Sequence, residues 1–315
     1  MQKTKVFIDC DPGIDDALAL LLALCHPNVS VVGIGVNCGN VPVELGVKNV
    51  LHILELTGQV HVPVYAGAEK PLQRNFVSAQ DTHGENGLGE IIFAQPMIKA
   101  QKMSASEAIL CYAKADTTLL TLAPLTNVAL ALQKNPKVLQ SYGKVISMGG
   151  AFRTHGNCSQ VAEYNYWCDP EAAEYVYANA GRVIEMVGLD VTRAFVLHAE
   201  AREKLKNLNN PLAEFAYDIT GFYQNFHQKQ ENLNGCVLND VLAVAYLIDE
   251  NLCAGFLSHV DIVCQGKAMG QSLVDVGDFY KQSPNALILQ EVRADDAMQL
   301  FWKTCFNTDY KILKI

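Results

Sequence analysis

Apolar and polar positions alternate along this chain in blocks whose lengths suit strands and helices in turn. Val6-Phe7-Ile8 reads as the end of a buried strand, Pro12-Gly13 forces a turn, and the Ala/Leu run from Ala17 to Leu24 reads as a buried helix. Val29 to Val36, β-branched and bounded by Asn28 and Asn37, predicts a second strand. A helix from Val43 to Thr57 and a short strand from Val62 to Tyr65 continue the alternation. Gly67 to Gly89 is irregular and polar. The pattern then resumes with a helix over Ser104 to Ala115, a strand over Thr118 to Leu122, a helix opening near Thr126 and a strand over Lys144 to Met148. Asp169-Pro170-Glu171 starts a helix with proline in its first turn, and Arg182 to Val187 is another strand. Beyond Asp190 the pattern turns helical, with segments at Glu200 to Leu208, Pro211 to Gln230 and Asp240 to Leu247. Short strands between Gly255 and Gln290 and a helix over Ala294 to Cys305 close the chain.

This order predicts an α/β fold: a mostly parallel central sheet flanked by helices, with a helical C-terminal region. Ligands of such folds sit outside the carboxyl ends of the strands. The polar loops that follow strands carry Asp9 to Asp16, Asn40, the turn at Leu122, and Asn157 to Asn165, so these should converge on one crevice. No run of Pro, Gly or Ser reads as a linker, and one domain over residues 1–315 is expected.

Composition narrows the partners. A net charge of -9 would repel phosphate backbones and anionic membranes, which excludes nucleic-acid and membrane-surface binding and favours a small molecule. The N-terminus has no signal-peptide core and no apolar run is long and clean enough to cross a membrane, so a cytoplasmic location is expected. The ten cysteines are scattered without a CxxC pair and read as reduced core residues rather than disulfides or a zinc site.

The chemistry concentrates in Asp9, Asp11, Asp15 and Asp16, crowded where the first strand hands over to the first helix. So dense a cluster repels itself and raises its own pKa values unless a positive charge sits within it. Hard oxygen ligands on one loop suit Ca²⁺ or Mg²⁺. Helix capping accounts for Asp15 or Asp16, but not for all four acids. His83 lies in a polar stretch from Asp81 to Gly87, where a surface position and an active-site position are both open. Tyr223 and His227 stand four residues apart on one face of a long helix.

The run Asp9-Cys10-Asp11-Pro12-Gly13-Ile14-Asp15-Asp16-Ala17 resembles the signature of the nucleoside hydrolases, the inosine-uridine-preferring N-ribohydrolases. Ala123-Pro124-Leu125-Thr126-Asn127, Val161 to Asn165 with Asp169 to Ala173, and Asn239-Asp240 with Ala243 to Tyr246 resemble further family blocks in the same order. The resemblance implies a Ca²⁺-dependent enzyme that hydrolyses the N-glycosidic bond of ribonucleosides, working as a homodimer or homotetramer. By position, Asp11, Asp16, Asp240 and the backbone carbonyl of Leu122 would hold Ca²⁺, with Asp11 also the general base toward a water on the metal. Asp15, Asn40, Asn157, Glu163 and Asn165 would hold the ribose, and Asp9 would orient its neighbours. These roles suit a reaction that develops oxocarbenium character on the sugar.

One position departs from the family. Many members place a His before the last metal-binding Asp, where this chain has Asn239, which cannot donate a titratable proton. His227 is the candidate for helping the base depart, against the plain alternative of a solvent-facing histidine in a polar segment. Trp167 is expected to pack in the core rather than stack on a base. Two rival readings stand beside this one. A haloacid-dehalogenase-like phosphatase shares the Asp-x-Asp pair but wants Thr or Val where Gly13 stands. A non-catalytic calcium-stabilised binding protein would leave the additional Asn and Glu loops without a task.

Overall fold

The computed structural model describes residues 3–310. The chain opens with β1 (Thr4–Cys10), α1 (Ile14–Cys25), β2 (Val29–Val36), α2 (Val43–Leu56) and β3 (Val64–Ala66). It continues through α3 (Gln80–His83), α4 (Ala105–Tyr112), β4 (Thr117–Thr121), α5 (Thr126–Lys134) and β5 (Lys144–Met148). Then come α6 (Tyr164–Cys168), α7 (Pro170–Asn179), β6 (Ile184–Val187), α8 (Leu189–Thr192), β7 (Val196–His198), α9 (Ala199–Leu205), α10 (Pro211–Glu231) and β8 (Gly235–Val237). The C-terminal part is α11 (Asn239–Ile248), β9 (Cys253–Ser258), β10 (Val260–Ile262), β11 (Ser272–Val274), β12 (Ala286–Val292) and α12 (Ala294–Phe306).

Eight strands form one sheet in the order β3-β2-β1-β4-β5-β6-β12-β9, and β9 is antiparallel to its neighbour while the rest run parallel. From the central pair the chain winds outward both ways, through β2 and β3 on one side and β5 and β6 on the other. That reversal makes the carboxyl ends of β1 and β4 the switch point at which doubly wound sheets bind ligands. The two ends are tied directly, because Leu122 N–H donates to the Asp9 carbonyl at 2.7 Å.

Alternation along β1 sends its side chains to two different cores. Val6, Ile8 and Cys10 join the core on the side of α1, α2 and α11, whereas Phe7 joins the core under α4 and α5. Residues Ile14 to Leu24 of α1 are buried on every side, since the helix lies under α11 and α12 as well as against the sheet. This explains an Ala/Leu run with no polar stripe. Each buried leucine of α1 contributes roughly 1.5–3 kcal/mol, which anchors the helix whose first turn carries Asp15 and Asp16.

Several boundaries differ from the sequence expectation. The first helix begins at Ile14, not Ala17, so Asp15 and Asp16 belong to the helix rather than to the turn before it. Asp16 makes this possible by accepting from Gly13 N–H at 3.1 Å, which satisfies a donor the helix start leaves free. The third strand is Val64–Ala66, and the irregular stretch after it contains the single turn α3, held by the bond from His83 N–H to the Ala79 carbonyl. The β7–β8 pair was not foreseen; its strands are three residues each and pair across the α9–α10 excursion, leaving too short a pattern to read. Among the described residues no helix is long and apolar enough to cross a membrane. Five cysteines are buried as expected and three are half-buried, but Cys111, on the outer face of α4, and Cys158, in the loop before α6, are exposed.

Candidate active site

The loops at the carboxyl ends of the strands enclose a partly open cleft that leaves about 90 Å³ for the centres of water-sized molecules. Its floor is built where α1 and α11 begin side by side, which brings Asp240 against Asp16 although more than two hundred residues separate them. Two helix N-termini meeting here offer partial positive charge to the acids. Asp15, Asp16 and Asp240 each place a carboxylate oxygen within 4.8 Å of the others, and all three are buried. Asp11 lies alongside: its N–H donates to Asp16 Oδ1 at 3.2 Å, its Oδ2 accepts from Asn40 N–H at 2.7 Å, and its Oδ1 is buried without a partner. Asn40 braces the same group with its side chain, donating from Nδ2 to Asp16 Oδ2 at 2.9 Å. The Asn40 amide therefore supports the acids, and its carbonyl oxygen is what remains for a ligand.

Burial dominates the electrostatics. It pushes the Asp16 carboxyl from 3.8 to about 7, and it raises Asp11 and Asp240 well above the usual carboxylate range, with repulsion from Asp16 adding to both. Asp15 is raised by burial too, against the bond it receives from Asn239. Asp16 and Asp240 thus face each other as crowded, buried carboxyls. The basic side chain in the cleft wall, Arg193, is engaged elsewhere, 3.1 Å from Glu231. Clustered buried carboxyls with an orphaned oxygen on Asp11 fit a hard divalent cation, which would replace the protons as the neutralising charge. The geometry gathers Asp15 with Asp16 and Asp240, a grouping that the sequence reading reserved for Asp11.

Asp9 stands apart from this cluster. It lies on the Phe7 side of β1, where its Oδ1 accepts from Asn127 Nδ2 on α5 at 2.9 Å, and burial raises it to about 7. Asn127 in turn accepts from Ala68 N–H at 2.9 Å, so Asp9 tethers the loop after β3. Nearby, Asp169 caps α7 through Ala172 N–H at 3.1 Å and also accepts from Thr126 Oγ1 at 2.7 Å and Leu72 N–H at 2.8 Å.

The opposite wall presents Asn157, Glu163 and Asn165, as expected from the loops after β5. Glu163 caps α6 and accepts from Gly150, Asn165 and Tyr166 N–H at 2.9, 2.8 and 3.3 Å, yet burial still lifts its carboxyl from 4.5 to about 7. Asn165 Nδ2 donates to the Leu122 carbonyl at 2.8 Å and to the Met148 carbonyl at 3.2 Å, which leaves its Oδ1 for the cleft. Asn157 is the converse: its Oδ1 accepts from Tyr164 N–H at 3.0 Å, leaving the amide N–H groups.

The remaining wall comes from α3, α10 and the start of α11. His83 is buried, not on the surface, because Gly13 lets it approach: a Cβ at Gly13 would lie 2.7 Å from His83 Nδ1. That nitrogen accepts from Ile14 N–H at 3.0 Å, and burial drives the imidazole down to about 3, so His83 is neutral. Tyr223 packs against His83 with ring centroids 5.2 Å apart and donates to Asp15 Oδ2 at 3.3 Å. His227 is likewise buried and lines the cleft, which overturns the solvent-facing alternative. Its Nδ1 is 3.0 Å from the Tyr223 carbonyl, and burial lowers its pKa. Trp167 lies outside the cleft, half-buried beside Tyr164 with centroids 6.3 Å apart, in keeping with packing. Sequence reasoning missed Arg193, Glu231 and Phe226 in the wall; the strand-to-α8 junction and the α10 face of His227 were the available signals.

A doubly wound α/β sheet with a buried carboxylate cluster at its switch point and a polar, Asn-lined cleft above forms a site for a small polar ligand. The family comparison makes the class definite: the family described as inosine-uridine preferring nucleoside hydrolase matches residues 6–299, and the chain belongs to it. It is a nucleoside hydrolase, from a metal-dependent family that acts on small nucleosides. The pyrimidine-specific ribonucleoside hydrolase RihA of Escherichia coli is 34% identical over 292 residues, which cover 91% of this chain and 93% of that protein. The plant nucleoside hydrolase PpNRh1 superposes with a TM-score of 0.93 at 26% identity, over 97% of this chain and 99% of its own. The purine-preferring ribonucleoside hydrolase from Gardnerella vaginalis does so with 0.91 at 30% identity, over 96% and 98%. Family membership excludes the phosphatase and the non-catalytic binding protein as rival readings.

Proposed function

We propose that this chain is a Ca²⁺-dependent ribonucleoside hydrolase that yields ribose and a free base, with the whole chain acting as one nucleoside hydrolase domain. The observation that carries the reading is the partnerless Oδ1 of Asp11, buried beside Asp15, Asp16 and Asp240. Asp11, Asp16, Asp240 and the Leu122 carbonyl would hold the cation. Ca²⁺ suits an irregular set of carboxylate and carbonyl oxygens better than Mg²⁺, which demands near-octahedral order. When bound, the cation supplies Lewis acidity and a positive charge that lets the carboxyls ionise.

The protein's own groups supply the rest. Asp11, fixed through Oδ2 by Asn40 N–H, keeps Oδ1 to take a proton from the attacking water. Asp15, Asn40, Asn157, Glu163 and Asn165 hold the ribose hydroxyls, each already oriented by a hydrogen bond on its other side. Such pre-set partners keep the buried sugar hydroxyls satisfied. Negative charge below the ring steadies the developing oxocarbenium ion. Above it, His83 and Tyr223 form a neutral ring wall for the base, and His227 delivers a proton to the departing base from the same helix face. With its pKa lowered, His227 carries that proton in a minor fraction at neutral pH and releases it readily.

The test is a panel of ribonucleosides read by release of free base, with and without a chelator and with Ca²⁺ or Mg²⁺ added back. Base release that a chelator abolishes and Ca²⁺ restores is expected. Release unaffected by the chelator would defeat the cation assignment, and no release from any ribonucleoside would defeat the reaction.

A further inference from the structure

The amide of Asn239 has one end engaged and one end open. Its Nδ2 donates to Asp15 Oδ2 at 3.2 Å, and only the NH₂ end of an amide can face a carboxylate in this way. Oδ1 is thereby turned from Asp15, and it is buried with no partner. The residue is 8% exposed and lines the cleft. Tyr223 gives its hydroxyl proton to the same Asp15 oxygen at 3.3 Å and has no donor left, whereas the Asn239 NH₂ keeps its second N–H. His227 follows the pattern: with Nδ1 held 3.0 Å from the Tyr223 carbonyl, the neutral ring carries its proton there and leaves Nε2 a lone pair. With His227 in its prevailing neutral form, this wall thus holds two unpaired acceptors, Asn239 Oδ1 and His227 Nε2.

We propose that Asn239 Oδ1 is a base-reading acceptor, which selects ribonucleosides whose base presents an N–H donor over those whose base offers only lone pairs. The assignment rests on the hydrolase reading above and adds a specificity-determining atom to it. A buried carbonyl left dry is costly, and a base N–H relieves that cost where a base lone pair would add repulsion. Asn239 then does two things: it holds Asp15 with its nitrogen and reads the base with its oxygen. It has no titratable proton to give the leaving group.

The test compares nucleosides of identical ribose, using enzyme supplied with its cation. Adenosine or inosine is set against purine riboside, and cytidine or uridine against 2-pyrimidinone riboside; the second member of each set has no N–H on its base. The ratio of kcat/KM within a set is measured for the wild type, for Asn239→Leu and for Asn239→Ser. Loss of the Asp15 bond lowers both members alike and cancels in the ratio, as does the intrinsic leaving ability of each base. The preference for the N–H-bearing member should shrink about tenfold in the variants, the effect of one hydrogen bond. Asn239→Ser, which shortens the side chain without adding bulk, keeps the test decisive if Asn239→Leu does not fold. A ratio that is unchanged in a folded variant overturns the assignment alone. Absence of turnover on every nucleoside by the wild type overturns the hydrolase reading and this one with it.

Discussion

Glu163→Gln separates the electrostatics of the cleft from its hydrogen bonding. Burial holds the Glu163 carboxyl at about 7 against 4.5 for the free side chain. The folded chain thus binds this proton more tightly than the unfolded chain does. The stability so contributed is complete below pH 4.5 and is lost as pH rises through 7. The interval from 4.5 to about 7, at about 1.36 kcal/mol per pH unit, amounts to roughly 3 kcal/mol. Glutamine carries no such dependence, but it offers one oxygen where the carboxyl serves three backbone N–H groups, and its NH₂ meets at least one of them. That mismatch costs about 1–3 kcal/mol at every pH. The variant should therefore be the less stable protein near pH 4.5 and should gain roughly 3 kcal/mol on the wild type by pH 8. Urea unfolding across this range, in a buffer containing chelator and with m-values checked for equality, measures the difference. A difference that stays flat from pH 4.5 to 8 would refute the reasoning, since Glu163 would then ionise as an ordinary carboxylate.

Asp11→Asn removes the proposed water base while keeping the Asn40 bond geometry, and kcat should fall about 10²–10⁴-fold with ribose still bound; a folded, cation-loaded variant with full activity would falsify the assignment. Gly39→Ala places a Cβ 1.9 Å from Asp11 Oδ2, so the carboxylate must move. Calcium affinity, followed by calorimetric titration, and kcat should drop together, and retention of both would show that the loop yields instead. His227→Ala should lower turnover and leave ribose binding intact, whereas undiminished hydrolysis of both inosine and uridine would remove His227 from the reaction.

Much of the site was legible because it lies at junctions that local sequence marks. Asp11, Asp15 and Asp16 straddle a Pro-Gly turn between two apolar runs, and Leu122, Glu163 and Asn165 follow strands; in a parallel sheet such positions share one edge. The Asp169-Pro170 helix start was read correctly for the same reason, since an Asx cap and an N-terminal proline are local chemistry. The positions that stayed open between surface and site fall where a distant element decides the environment. His83 has polar neighbours in the chain, but Gly13 and Tyr223 bury it. His227 has Gln and Lys beside it in sequence, yet its own helix face turns it into the cleft.

The sequence by itself determined the alternation of strand and helix, the acid-rich turn and the family, because each rests on spacing within a few residues or on motifs in order. Tertiary structure alone decided how the acids divide. The alternation of β1 sends Asp9 to Asn127 on α5, away from the cluster. The pairing of α1 with α11 brings Asp240 to Asp16 and turns the Asn239 amide onto Asp15 across 224 residues of chain. Which end of an amide is spent and which carboxyls are crowded together depend on what the fold packs against them, and no local pattern encodes that.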